Sequence, residues 1–367
     1  MSKLFEQSKI NKMVLSNRFV RSATWEGMAA EDGGATPALI EKMVELAEGE
    51  VGLIISGHAY IRPEGKAGLL QMGMYKDELI PGLQEMTDKV HGAGGKIVAQ
   101  LAHAGHFAIK QTGQVPLVAS NFEGLAKSSR KEMTVQDIQE LVDSFKDAAV
   151  RARTAGFDGV QIHSAHGYLL SQFLSPSFNC RQDEYGGDIR GRSKIHIEIL
   201  EAIRKAVGDD YPVLIKMNSQ DFVENGLSLE DSIKAGRMLA DAGLNAIELS
   251  GGMLTSGKLS PSRSGINAEE KEAYFREGAK LFKSEIDIPI ILVGGMRSFE
   301  VADLLVEEGA ADYISMCRPL IREPQLIKRW KEGDRRKAEC NSDNLCFGPA
   351  LEGKGISCVT KELKQKE

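Results

Sequence analysis

The chain has 367 residues, 42% of them apolar, with five cysteines and a formal net charge of -6. That length accommodates two domains or one large α/β barrel with a sizeable core. The acidic balance and the lack of a long Lys/Arg cluster exclude a nucleic-acid footprint, and no apolar run reaches the roughly 18 residues that span a bilayer. The opening MSKLFEQSKINKM lacks the apolar stretch of a secretory signal. A cytoplasmic protein with reduced thiols is expected, without nucleic-acid or membrane partners.

The first predicted element is a hairpin over residues 9–16, turning at Asn11-Lys12 and placed to close the bottom of a barrel. Eight short apolar runs follow, at 19–23, 51–56, 96–102, 159–163, 212–217, 245–250, 289–295 and 312–317. Near-continuous Val/Ile/Leu runs of this kind suit parallel strands buried on both faces. Segments with helical period lie between and after them, at 37–48, 78–94, 135–155, 190–207, 229–242, 269–283, 299–308 and 323–331. Eight strand–helix units predict a (β/α)8 TIM barrel; the rival is a doubly wound open sheet. The barrel is favoured because polar residues recur at strand C-terminal ends, namely Gln100, His163, Lys216, Glu248 and Cys317/Arg318. Three long loops, 103–134, 167–189 and 251–268, all follow strands and are expected to rise over that same face.

The densest chemistry lies in VQIHSAHGYLLSQFLSPSFNCRQDEYGG, residues 160–187. His163 and His166 offer two N–H donors to one carbonyl oxygen, and Tyr168 offers a proton. The alternative is a histidine pair satisfied by loop backbone. His103 and His106 repeat the spacing after the third run. Four histidines on one face suggest zinc, but no nearby carboxylate completes a ligand set, and no metal is predicted. At VGGM (293–296) and MCRP (316–319), Gly294, Gly295 and Arg318 suit a phosphate. Gln100 can pair with the amide edge of a heterocycle, and Lys216 can stabilise negative charge on it. Of the remaining cysteines, Cys340, Cys346 and Cys358 fall one short of a four-thiolate site. Cys180 and Cys317 are given no nucleophilic role.

These motifs resemble the old yellow enzyme family of FMN-dependent NADH:flavin oxidoreductases and ene-reductases. The resemblance runs from KI…M.L.NRFV and GLIIS through QLAHAGH and VPLVAS to IHSAHGYLLSQFLSP…N.R.DEYGG, VGGM and ADYISMCRPLIREP. It implies an FMN-binding (β/α)8 barrel over residues 1–335, reduced by NADH or NADPH. A tail over 336–367 carries a degenerate cysteine motif and belongs to the same domain. It further implies that Ala23, Thr24, His58, Gln100, Lys216, Gly294, Gly295, Met296, Cys317 and Arg318 bind the flavin. His163 and His166 would hold the substrate carbonyl, and Tyr168 would be the proton donor. Trp25 stands where many relatives carry a flavin-tuning Cys or Thr, and is expected against the substrate. His106 replaces a common Arg. Asp343 stands where a cluster ligand would be and one spacing is short by a residue, so no iron–sulfur cluster is expected. With the chain stopping at Glu367, no second nucleotide-binding domain is expected. The implied reaction passes hydride from NAD(P)H through flavin N5 to the C=C bond of an α,β-unsaturated carbonyl compound, in a homo-oligomer. The alternatives are an NADH oxidase or nitroreductase-type flavin enzyme, a flavin-free metal-dependent lyase or hydrolase using the histidine pairs, and a catalytically inactive scaffold.

Overall fold

The computed structural model describes residues 2–109, 113–121 and 129–365; residues 110–112 and 122–128 of the first long loop lie outside it. Eight strands of the central sheet close the barrel: β1 (Phe19–Arg21), β2 (Leu53–Ile55), β3 (Ile97–Ala102), β4 (Gly159–Ser164), β5 (Val213–Asn218), β6 (Ala246–Ser250), β7 (Ile290–Val293) and β8 (Tyr313–Met316); the short strand Ala59–Tyr60 adds to the edge of β3. Each of the eight pairs in parallel with the next, and β8 pairs with β1, so the sheet closes on itself. This is the (β/α)8 barrel that the eight apolar runs predict, and all eight runs hold their strands.

Helices at Pro37–Glu48, Ile80–Gly92, Val135–Thr154, Ile189–Val207, Leu229–Asp241, Arg276–Glu285, Phe299–Glu307 and Leu326–Lys331 complete the units. Local chemistry fixes their starts. Thr134 and Asp137 form a reciprocal capping box ahead of Val135, and the Asp188 side chain accepts from the N–H groups of Arg190 and Gly191. Two predicted helices begin three or more residues late. The segment at 269–283 becomes helical only at Arg276, because residues 269–271 form a 3-10 turn. Its Glu272 instead accepts from the backbone N–H groups of Arg297 and Ser298. The segment at 323–331 starts at Leu326, because Pro324 drives Glu323 out of helical geometry (φ -129°, ψ 80°).

Side-chain alternation divides the barrel interior into two halves. The lower half is apolar and contains Val20, Leu53, Ile55, Val98, Leu214, Ala246, Ile291 and Tyr313. Strands Ser8–Ile10 and Met13–Leu15 form the N-terminal hairpin, with Asn11 in the left-handed region at φ 52°. Ile10, Met13 and Leu15 pack into the lower half and seal it. One step up, the inward positions at six of the eight strands turn polar: Ser22, Gln100, Gln161, Lys216, Glu248 and Ser315 are all buried. The apolar plug below leaves the C-terminal face as the open end.

Leu15 is fully buried in that plug. Leu15→Ala should lower unfolding stability by about 2–5 kcal/mol through lost burial and the cavity left behind. A denaturant titration checks this, and a loss below about 1 kcal/mol would contradict the plug.

Candidate active site

The upper half of the barrel interior is one hydrogen-bonded unit centred on Glu248. Its Oε1 accepts from Ser22 at 2.7 Å and Ser315 at 2.8 Å, and pairs with Lys216 Nζ at 3.2 Å. Its Oε2 accepts from Gln161 Nε2 at 3.0 Å, whose Oε1 accepts in turn from Gln100 Nε2 at 2.7 Å. Lys216 Nζ also donates to Ser22 Oγ at 2.7 Å. Burial acts to raise the Glu248 carboxyl, but Lys216 and the hydroxyl and amide donors outweigh it and hold it below the usual range. Lys216 thus stands at the base of the open end with its charge compensated from below.

Above it lies a cavity of about 640 Å³. His166, Tyr168, His58, Lys216, Ala23, Thr24, Trp25, Gly295, Met296, Cys317 and Arg318 all line it. The chain leaves β4 with Ser164, then turns sharply: His166 (φ 65°) and Gly167 (φ 85°) are both left-handed. For histidine that geometry is costly and must be held by its surroundings. Here Asn218 accepts from the His166 N–H at 3.2 Å, and Ser250 Oγ meets His166 Nε2 at 2.8 Å. Asn218 is anchored to buried Asp221 at 2.8 Å. The turn brings the rings of His163 and Tyr168 to 4.8 Å, and those of His163 and His166 to 5.4 Å. Burial first, then His166, His58 and Lys216, push His163 well below the usual histidine range. Burial and then Lys216 do the same to His166. Both rings are therefore neutral at physiological pH. Burial pushes the Tyr168 phenol up to about 12, which keeps it protonated.

At the far end, Arg318 lies at the first turn after β8 and donates to the Arg263 carbonyl and to Asn344 Oδ1. Gly294 (φ 136°) and Gly295 (φ 74°) need glycine for their backbone, and also for room. A Cβ on Gly295 would stand 2.7 Å from the Tyr274 ring. The next N–H groups, of Arg297 and Ser298, are taken by Glu272, so Gly295 and Met296 present the cavity wall at this strand end.

Among the residues predicted for the site, Gln100, His163 and Gly294 stand behind the cavity wall rather than on it. Gln100 is tied to Gln161, and His163 Nδ1 is buried with no hydrogen-bond partner. The Trp25 indole lines the mouth and donates to the Leu69 carbonyl at 3.1 Å. The second histidine pair does not join the site. His103 and His106 are buried off the cavity, with His103 Nδ1 accepting from Gly105 N at 3.1 Å. Among the described residues, no group of three or more His, Cys, Asp or Glu is arranged to hold a metal. Sequence reasoning missed Ser250, Asn218, Glu272 and the tail residues Ser342, Asn344, Phe347 and Leu351, all but Asn218 and Glu272 on the cavity wall. Ser250 ends a predicted strand on its inward-facing side, which is a usable signal. The tail offered none.

Residues 3–337 match the model of the NADH:flavin oxidoreductase / NADH oxidase family. The chain belongs to that family. The expected resemblance thus holds for the whole barrel, and the family is one of oxidoreductases. An NADH oxidase of Thermoanaerobacter brockii is 35% identical over 364 residues, covering 94% of this chain and 53% of the relative. A 2-naphthoyl-CoA reductase in complex with 2-naphthoyl-CoA superposes with a TM-score of 0.90 at 29% identity, covering 97% of this chain and 56% of that one. The chain therefore spans about half the length of these relatives. An old yellow enzyme homologue from Zymomonas mobilis matches end to end, 98% of each chain, with a TM-score of 0.79. At 24% identity that likeness speaks for the fold alone.

Two predictions follow from the electrostatics of this family member. Lys216→Met removes one partner of a pair that is almost completely buried and should cost about 3–5 kcal/mol. Adding Glu248→Gln should recover part of that loss, measured as denaturant midpoints in a double-mutant cycle. The second concerns pH. Burial lowers His58 and His196 to about 4 and His103 to about 3, and holds His163 and His166 well below the usual histidine range. The unfolded chain binds protons on these rings near pH 6.5 whereas the folded one does not, so stability is lost as pH falls below about 6.5. The Tm should drop by roughly 5–10 °C between pH 7 and 5.5. A flat Tm across that range would show that these rings are not buried neutral.

Proposed function

We propose that this chain is an FMN-dependent oxidoreductase that reduces the C=C bond of an α,β-unsaturated carbonyl compound at the expense of NADH or NADPH. The observation that carries this reading is that neutral His166 and protonated Tyr168 line one cavity whose floor holds Lys216, with His163 packed against both rings from behind the wall.

The residues present fit FMN. The cavity volume of about 640 Å³ is in the range of cofactor sites. Lys216 has three N–H groups and two partners, Ser22 and Glu248, so one donor remains for an electron-poor ring. Arg318 with Gly294, Gly295, Met296 and Cys317 would hold the phosphate. Ala23, Thr24, His58 and Gln100 would complete the surround of the ring. When bound, FMN would supply the hydride carrier between nicotinamide and substrate.

Every other task falls to side chains. With Ser250 engaging His166 Nε2, the Nδ1 of that ring is left for the substrate carbonyl oxygen. His163 stands beside it, and its unpartnered Nδ1 marks a histidine not satisfied by the fold. Two preplaced donors at one oxygen stabilise the negative charge that develops as hydride reaches the β-carbon. Tyr168 gives its proton to the α-carbon. Trp25, Leu69, Ile109, Leu254, Phe347 and Leu351 make an apolar mouth that excludes water and suits a hydrophobic substrate.

The purified protein should carry a visible flavin band that bleaches when NADH or NADPH is added anaerobically and returns with an enone such as 2-cyclohexenone. Tyr168→Phe should slow the return by about 100-fold or more while sparing the bleaching. A colourless protein that cannot be reconstituted with FMN would overturn the proposal.

A further inference from the structure

We infer that His58 is a positioning residue that turns the Tyr168 hydroxyl proton toward the cavity, through a tautomer fixed by Gln71. This rests on the reading of Tyr168 as proton donor given above.

The argument starts at Gln71, which is 1% exposed. Its Oε1 receives two backbone N–H groups, from Ala67 at 2.7 Å and Gly68 at 3.3 Å. An amide NH2 cannot face two N–H donors, so the orientation of this carboxamide is set by the backbone. Its Nε2 must then face the other way, where it has two neighbours: the His58 carbonyl oxygen and His58 Nδ1, each at 2.9 Å. The carbonyl can only accept, which uses one of the two amide hydrogens. The second hydrogen points at Nδ1, and Nδ1 must accept it. A neutral imidazole that accepts at Nδ1 carries its hydrogen on Nε2. Burial holds His58 down to about 4, so the ring is neutral in the working range.

His58 Nε2 lies 3.2 Å from Tyr168 Oη, with ring centroids 5.5 Å apart. With the hydrogen on Nε2, His58 donates and the tyrosine oxygen accepts. The phenol's own hydrogen cannot point back along that line, and it is left for a group in the cavity that His58 and Tyr168 both line. The opposite tautomer would make Tyr168 donate to His58 and would aim its proton away from substrate. The fold sustains this arrangement at a conformational cost: Leu70, immediately before Gln71, is left-handed at φ 48°. An apolar residue in that geometry calls for a reason, and placing Gln71 under His58 supplies one.

In the proposed step the Tyr168 O–H bond breaks and a C–H bond forms at the substrate α-carbon. Tyrosine is left as a phenolate, to which His58 Nε2–H remains hydrogen-bonded. The His58 proton stays on His58, and solvent returns a proton to Tyr168. A donor already placed at Oη stabilises the phenolate that forms there.

The test uses the FMN-loaded protein with 15N-labelled histidine. NMR of the wild type should show His58 with a bare Nδ1 and a protonated Nε2. A protonated Nδ1 would overturn the inference whatever the kinetics. In single turnovers of fully FMN-loaded protein with 2-cyclohexenone, His58→Leu should slow flavin reoxidation roughly tenfold more than it slows flavin reduction by NADH. His58→Gln, whose amide can donate to Oη, should restore most of the rate. Reoxidation at the wild-type rate in His58→Leu, with Tyr168→Phe slow, would overturn the role of His58 alone. Wild-type reoxidation in Tyr168→Phe would instead overturn the proton-donor reading, and this inference with it.

Discussion

The constraint on which this molecule turns is one ion pair inside the barrel. Lys216 and Glu248 sit on adjacent strands in register, with side chains 5% and 0% exposed. Two charges in such a place are tolerable only when every remaining lone pair and proton finds a partner. That requirement dictates the neighbours: Ser22 on the chain leaving β1, Gln161 on β4 and Ser315 on β8 all serve Glu248. The polar layer therefore spans the barrel, and the apolar hairpin plug below it closes the other end. A cavity can open on one face only, and a lysine whose charge is already compensated forms its base. A lysine compensated in this way avoids the desolvation cost of being buried alone.

The second constraint is the turn after β4. A strand that ran on past Ser164 would send His166 and Tyr168 outward over the helices. Left-handed His166 and Gly167 reverse the chain within two residues, and the short helix Leu169–Leu174 begins at once. The histidine spacing is thus a consequence of geometry: position 163 is the last inward-facing residue on the strand, and 166 is the residue forced into the turn. Neighbouring strands hold it there through Asn218 and Ser250, so the placement of the ring is set by β5 and β6 as much as by β4. This is the usual arrangement of precise sites, with reactive groups on loops and their restraints on rigid strands.

The parts legible in the sequence are those that depend on local pattern. Alternation and apolar runs gave every barrel strand, and strand ends gave Lys216, His163 and Arg318, because in a parallel barrel the end of a strand is also a place. Gln100 and Glu248 were legible as inward polar residues, but their partnership was not, since Glu248 meets Ser22 across a separation of 226 residues. Gln71 and Glu272 were illegible for a related reason. Each acts on backbone or ring nitrogens of another loop, and nothing in the local spacing of an amide or a carboxylate announces such a target. The helix at 269–283 was misplaced for the same cause: Glu272 reads as a good helix former, yet its carboxylate is held by the next loop.

The C-terminal tail makes the point most sharply. As a motif it reads as an incomplete cysteine site with nothing to do. In the structure Cys346 packs with Ala350, Ile356 and Trp25 in a small apolar cluster. Gly27 is left-handed at φ 62°, and a Cβ there would meet Ala350 at 3.1 Å. Asn344 receives the Arg318 guanidinium, while Phe347 and Leu351 form part of the cavity mouth. Burial raises the Cys346 thiol to about 12 and raises Cys340 as well. The same segment that lacks one thiolate thus supplies a wall. Trp25 is the residue that links the two observations, because it bridges the tail cluster and the cavity rim. A smaller side chain at that position would open the mouth and unseat the tail together. The shape of the cavity rim and the packing of the tail are in this way one constraint, met by a single indole.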